Sequence, residues 1–216
     1  RDPDFTEARL VLGRTHFIRQ EFNLAAQELS LLPTSQTQHN KLYELAKQYA
    51  SIKTDQELLS IKELINLMNE LKHMQMSFLM AGYAEQKAHD LKDKIRIAEH
   101  MLKVTNKLAA PSMKLKIKVL DDNSLDIDLS NNPKLTSLSG IRNLKVKKLD
   151  ISNTSIKITL DLSRMPLETL IIKNSQIPDM ISLTKLKNLK DLVIAKEDYP
   201  SFANRKKING VNIMRK

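Results

Sequence analysis

At 216 residues, 41% hydrophobic and 28% charged, the chain has the composition of a globular protein of one or two domains, which excludes wholesale disorder. It has no cysteine, so disulfides and thiolate metal sites are excluded, and no apolar run reaches the ~18 residues of a membrane-crossing helix. The formal net charge of +10 is lopsided: residues 1–112 carry 15 Lys+Arg against 14 Asp+Glu, and residues 113–216 carry 20 against 11.

No signal peptide precedes the first element, and a chain opening on Arg1 reads as a piece of a longer one. Residues 6–32 read as a helical hairpin, with Ala8, Leu12, Gly13, Phe17, Phe22, Ala25, Leu29 and Leu32 at helical spacing and a turn over Gln20–Asn23. The hairpin resembles a tetratricopeptide repeat. Leu12-Gly13 matches that family's Leu-Gly pair, Phe22 and Ala25 match the residues opening its second helix, and Pro3 stands where a preceding repeat closes. Arg9 replaces the family's common tryptophan, and Leu29 its usual aromatic.

After the break at Pro33-Thr34-Ser35, a helix is expected from Gln38 to Ile52, with Leu42, Leu45, Ala46, Tyr49 and Ile52 on one stripe. Thr54-Asp55-Gln56-Glu57 reads as a helix start, and Leu58, Leu59, Ile61, Leu64, Ile65, Leu67, Met68 and Leu71 make the following helix apolar over most of its circumference. A weak break near His73–Ser77 leads into one long helix ending near Lys107, its stripe running from Phe78 and Leu79 to Met101, Leu102 and Leu108. Ala109-Ala110-Pro111-Ser112 closes it, so the helical part is expected over 1–110.

Met113–Val119 alternates apolar residues with lysine, Asp121-Asp122-Asn123 is a turn, and Leu125–Leu129 is a strand, together a β-hairpin cap over 113–129. A repeat begins with that second strand. Ile127, Leu149, Leu170 and Leu192 lie 22, 21 and 22 residues apart, and Leu129, Ile151, Ile172 and Ile194 follow at the same steps. Polar residues Asn132, Thr154 and Ser175 come three places after the second anchor, where a buried side chain can bond the backbone as the strand turns away. A fixed period with LxL followed by a small polar residue is the leucine-rich-repeat signature. Leu135/Ile156/Ile177, Ile141/Leu162/Leu183 and Leu144/Met165/Leu186 repeat in step and predict the back wall of one core. Glu197 in the fourth copy marks the expected end of the ladder. The segment 197–216, with Arg205-Lys206-Lys207 and Ile208-Asn209-Gly210-Val211, is read as a covering cap. The expected fold class is therefore α+β in two parts: an all-α helical-hairpin half, then a short leucine-rich-repeat parallel sheet over 113–216.

The sequence carries no phosphate-cradling glycine loop, kinase catalytic loop, nucleophile elbow or metalloprotease helix motif. His89 and His100 share a helical face but lie three turns (~16 Å) apart, too far to share a metal. No cofactor is called for, and the expectation is a chain without catalysis. Stacking the repeats places Asp126, Asp128, Lys148, Asp150, Ile171, Lys173 and Val193 on one strand face, acidic at one end and apolar at the other. Paired carboxylates can hold a cation or work as acid and base, but no third ligand or nucleophile accompanies these. That face is the candidate surface for a protein partner. The basic half raises the alternatives of nucleic acid, an anionic membrane, or a solvated lysine-rich exterior; a purely structural spacer is a further one. With 4% aromatic residues, none of them among the strands, base stacking is disfavoured and so is nucleic acid.

The order of tetratricopeptide-like hairpin, helices, LDIDLSNNPKLTSLSGIRNLKVKKLDISNT and a KKINGVNI tail resembles the non-catalytic C-terminal region of eukaryotic-like serine/threonine kinases from Planctomycetes and Lentisphaerae. The resemblance implies a sensory or docking module of a bacterial signalling protein. It also implies a place in the cytoplasm or in an extracytoplasmic part of a membrane-anchored parent, with any membrane contact made by another part of that parent.

Overall fold

The computed structural model describes residues 3–33, 37–71, 74–157, 160–175, 177, 183–195 and 207–215. They belong to two compact units, Arg1–Ile97 and Ala98–Lys216. Six helices precede a sheet whose central strands are parallel, so the chain is α+β in two parts.

The first unit contains α1 (Pro3–Ile18), α2 (Phe22–Ser30), α3 (Thr37–Ala50), α4 (Ile61–Leu71), α5 (Met74–Lys87) and the first half of α6 (Leu91–Thr105). The expected hairpin is present. Glycine at position 13 lets the two helices come close: a Cβ there would lie 2.9 Å from Cγ and Cδ2 of Leu29 on α2, and that side chain would have to shift. Phe17 and Phe22 meet edge to face at 5.2 Å, and with Ala25 and Leu29 they are buried. Between the helices Gln20 adopts φ 63°, its N–H bonding to the Phe17 carbonyl while Glu21 N–H reaches the His16 carbonyl. That pair of bonds closes α1 as a Schellman motif.

Leu42, Leu45, Ala46 and Tyr49 are buried on α3 as expected, whereas Ile52 lies past the helix end and is 50% exposed. The Tyr49 hydroxyl donates to Glu70 Oε1 at 3.2 Å; burial, then the Glu70 charge, pushes its pKa up to about 12. The helix start expected at Thr54 is displaced. Glu57 accepts from the Thr54 N–H and hydroxyl, half of a capping box, but the Glu57 N–H goes to the Thr54 carbonyl and Asp55 is committed elsewhere, accepting the Asn23 and Leu24 N–H groups at the start of α2. The chain stays non-helical until a complete capping box, Ser60 with Glu63, opens α4 at Ile61. The single long helix expected up to Lys107 is two. α5 ends at Lys87, and Asp90 Oδ1 accepts the Lys92 N–H to start α6. Leu79 and Leu108, expected on the buried stripe, are 50% and 80% exposed, Leu108 lying past the end of α6. Of the weak break, residues 72 and 73 lie outside the described residues.

Among its described residues the second unit holds the rest of α6, two 3-10 turns (Ala110–Ser112 and Leu160–Arg164) and seven strands: β1 (Lys116–Val119), β2 (Leu125–Asp128), β3 (Val146–Asp150), β4 (Thr169–Ile171), β5 (Asp191–Ile194), β6 (Lys207–Ile208) and β7 (Val211–Arg215). They form one sheet in the order β1-β2-β3-β4-β5-β7-β6. β1 pairs antiparallel with β2, as the expected hairpin cap. From β2 to β5 the strands are parallel, with Ile127, Leu149, Leu170 and Leu192 in register and all fully buried. The back-wall columns are buried too, except half-buried Leu186. The arrangement is solenoid-like, each turn burying its apolar side against the next.

The ladder does not stop at the fourth copy. β7 pairs parallel with β5, Leu192 opposite Ile213, and so adds a fifth parallel strand. β6 then returns antiparallel through Asn209 (φ 48°) and Gly210 (φ 87°), two positive-φ residues as a tight hairpin needs. Of the expected cap, residues 197–206 and 216 lie outside the described residues.

The polar column works as expected in its first two copies. Asn132 accepts the Lys114 N–H and donates to the carbonyls of Lys114 and Leu129, while the Thr154 hydroxyl donates to Ile151. One residue earlier, Asn131, Asn153 and Asn174 all adopt left-handed φ (58°, 55° and 52°). Asn153 donates to Asn131 at 2.8 Å and Asn174 to Asn153 at 2.9 Å, a side-chain ladder along the stack.

The units divide inside α6, ahead of the Ala110–Ser112 junction, because the second half of α6 belongs to the repeat core. Ala98, Met101 and Leu102 are buried, and the backbone of Leu102 lies directly against Gly140. Asn106, buried at the end of α6, donates to the carbonyls of Leu102 and Ser137 and accepts the N–H groups of Thr136 and Ser137.

Candidate functional site

Alternation along the strands turns one set of side chains away from the repeat core. Register sorts them into two rows: Lys118, Asp126, Lys148, Thr169, Asp191 and Asn212; then Lys116, Asp128, Asp150, Ile171, Val193 and Met214. Six of the seven residues singled out from the sequence are therefore strand-face neighbours. Lys173 follows just after β4, its backbone N–H bonded to Ser152 Oγ.

The charges on this face are largely met from within. Lys148 Nζ binds Asp126 Oδ2 at 2.8 Å, and Lys116 Nζ binds Asp128 Oδ2 at 3.3 Å. Asp128 Oδ1 accepts the Ser130 N–H and Asp150 Oδ1 accepts the Ser152 N–H, each at 2.9 Å. These two carboxylates close Asx turns at the ends of β2 and β3, a backbone role. Partial burial acts to raise the Asp128 pKa, but hydrogen bonds from Ser130 and Lys116 outweigh it and the net shift is downward. Val193, expected at the apolar end of an open face, is 4% exposed, and Ala195 beside the same strand is 8% exposed. Ile171 is half-buried, so the apolar end offers less surface than alternation suggests. Among the described residues no group of three or more His, Asp or Glu is placed to share a metal.

A second charged feature lies at the strand starts, and sequence reasoning missed it. Asp122 binds Lys145 (3.3 Å) and Lys147 (2.9 Å), Lys147 binds Glu168 (3.1 Å), and Glu168 binds Lys190 (2.6 Å). The column Lys147, Glu168, Lys190 steps at the repeat period, which was the available signal. Five lysines of the basic half, at 116, 145, 147, 148 and 190, thus face acids of the same unit.

The Ser124 hydroxyl, then Lys147, holds the Asp122 carboxyl well below the usual carboxylate range. Lys190, then Lys147, lowers Glu168. Burial, then Lys103, lowers the His100 imidazole. At these groups the folded state thus binds fewer protons than the unfolded chain. Each contribution is complete above the unfolded pKa and lost as pH falls through the folded one. Loss should begin below 6.5, from His100, and steepen below 4.5 and 3.8, from Glu168 and the two aspartates. Urea midpoints for the repeat unit, taken from about pH 7 to about pH 3, should fall in those two stages. Glu168→Gln should flatten the second stage, and an unchanged profile would remove the ladder as its source.

Among the described residues no helix is long and apolar enough to cross a membrane. No family model, curated protein or solved structure matches the chain.

Proposed function

We propose that the chain is a non-catalytic interaction module whose repeat unit presents its strand face to a protein partner. The helical unit is read as tetratricopeptide-like and the second as leucine-rich-repeat-like. The supporting observation is the register of the outward residues: a charge-paired row of Asp126, Lys148, Thr169, Asp191 and Asn212 lies beside a row running from Asp128 and Asp150 to Ile171. A regular sheet holds these side chains at fixed spacing, which lowers the ordering cost of docking a complementary surface. The resemblance to kinase C-terminal regions makes the attached catalytic domain of a bacterial signalling protein the setting for this role.

The test is affinity capture with the full chain against Lys148→Glu and Ile171→Asp. These positions are chosen because Asp128 and Asp150 also hold backbone turns. Partners retained by the native chain should be lost from both variants while their circular dichroism stays native. Undiminished capture by both would end the strand-face assignment.

A further inference from the structure

Among the described residues the repeat sheet ends at β1, which pairs with β2 alone: Lys116 lies opposite Asp128, Ile117 opposite Ile127 and Lys118 opposite Asp126. Hydrogen-bonded and non-hydrogen-bonded pairs alternate along such an antiparallel ladder. The Leu120 N–H bonds the Ser124 carbonyl at 2.8 Å, and the Lys114 N–H and carbonyl both bond the Asn132 side chain. Even-numbered residues of this segment therefore spend their backbone groups on the β2 side. β2 agrees, because its Leu125 and Leu129 N–H groups go to Lys145 and Asp150 on the β3 side, which leaves its even residues for β1. The N–H and C=O groups of Leu115, Ile117 and Val119 thus point away from the sheet, at an open edge.

The side chains of this edge are sorted by face. Ile117 extends the row of Ile127, Leu149, Leu170 and Leu192, yet those four are fully buried and Ile117 is half-buried. Val119, opposite fully buried Leu125, is 48% exposed. The apolar row runs out at β1 with one flank uncovered. Lys116 and Lys118 stand on the other face. Lys116 reaches Asp128 with its side chain still 83% exposed. Lys118 makes no ion pair among the described residues, since Asp126 opposite it binds Lys148.

We propose that this edge receives an extended segment of a partner protein as an added strand, one in which apolar residues alternate with Asp or Glu. In strand addition the main-chain bonds supply affinity and the alternate side chains supply selection. Apolar residues opposite Leu115, Ile117 and Val119 continue the buried row. Carboxylates opposite Lys116 and Lys118 continue the alternation of charge that Asp128 and Asp126 begin on β2. A second copy of the chain fits badly. Antiparallel pairing of two β1 edges sets odd residues opposite odd ones in either register, and so sets lysine directly opposite lysine. Edge lysines guard a sheet against self-pairing. Here the same charges choose an acidic partner.

The experiment is nuclear magnetic resonance of the isotope-labelled full chain. Without peptide, the Ile117 and Val119 amides should exchange rapidly with water while those of Lys116 and Lys118 are protected. Acetyl-Glu-Val-Glu-Val-Glu-Val-amide should then shift and protect the Leu115, Ile117 and Val119 amides. Acetyl-Glu-Glu-Glu-Val-Val-Val-amide, equal in composition but without the alternation, should bind at least about tenfold more weakly. Val119→Pro removes an outward N–H and no bond to β2, so it should abolish binding and leave the circular dichroism native. Lys118→Glu, which disturbs no backbone group, should weaken the alternating peptide several-fold. Three results would each overturn the proposal: equal affinity for the two peptides, no shift at β1 at millimolar peptide, or broadening of the same amides on raising the protein concentration alone, as a second copy would cause. The strand-face test substitutes Lys148 and Ile171, neither of them on β1, so either proposal can fail alone.

Discussion

Gly140→Ala should destabilise the repeat unit by about 3 kcal/mol, the upper part of the range for overpacking a tight interior. The added Cβ would stand 2.3 Å from the Leu102 backbone nitrogen, 2.6 Å from its Cα and 2.9 Å from the Ala98 carbonyl oxygen. All three are backbone atoms of a helix, so no rotamer change can make room, and α6 itself must move. Conformation is not the issue, because Gly140 is absent from the positive-φ set that includes Gly210. Gly13→Ala provides the contrast. There the obstruction is the end of the Leu29 side chain at 2.9 Å, which can shift, and alanine returns about 1 kcal/mol of helix propensity. Urea denaturation of the full chain should show a much lower midpoint for Gly140→Ala than for Gly13→Ala. Equal midpoints would mean that α6 does not lie against Gly140 as tightly as described.

The parts legible in the sequence were those set by a strict period. A step of 21–22 residues is enough to place Ile127, Leu149, Leu170 and Leu192 in one buried row, because stacking in any other register would expose them. The fifth parallel strand was hidden because Arg215 stands where the second apolar anchor belongs, so Val211–Arg215 does not read as a copy. The break between α5 and α6 contains neither glycine nor proline, and only the bond from Asp90 to Lys92 marks it. The division inside α6 was illegible for a different reason. Periodicity reports which residues of a helix are buried but not what buries them, and Ala98 and Leu102 continue the same stripe into another core. The strand face divides in the same way. Alternation correctly sent Asp126, Lys148 and Asp150 outward, yet it could not show that Asp128 and Asp150 bond their own turns or that Val193 is covered.

Asn106→Ala should cost about 3 kcal/mol, through unpaired backbone groups more than through lost packing. Its Oδ1 receives the Thr136 and Ser137 N–H groups at 2.9 and 3.0 Å, and its Nδ2 serves the Ser137 and Leu102 carbonyls at 2.9 and 2.8 Å. Residues 135–138 lie in an irregular segment whose N–H groups have no strand to bond, so the side chain supplies what a ladder would. Alanine leaves two donors and one or two acceptors buried without partners. Asn106 and Gly140 act on one seam, the packing of the end of α6 onto the segment 136–140. Once either substitution has opened that seam, water reaches the groups the other would have stranded. The double variant should therefore lose less than the sum of the two singles, by about 0.5–3 kcal/mol, whereas Asn106→Ala combined with Gly13→Ala should be additive. Additivity in both double variants would show that Asn106 and Gly140 act independently and that the end of α6 is held by its apolar contacts alone.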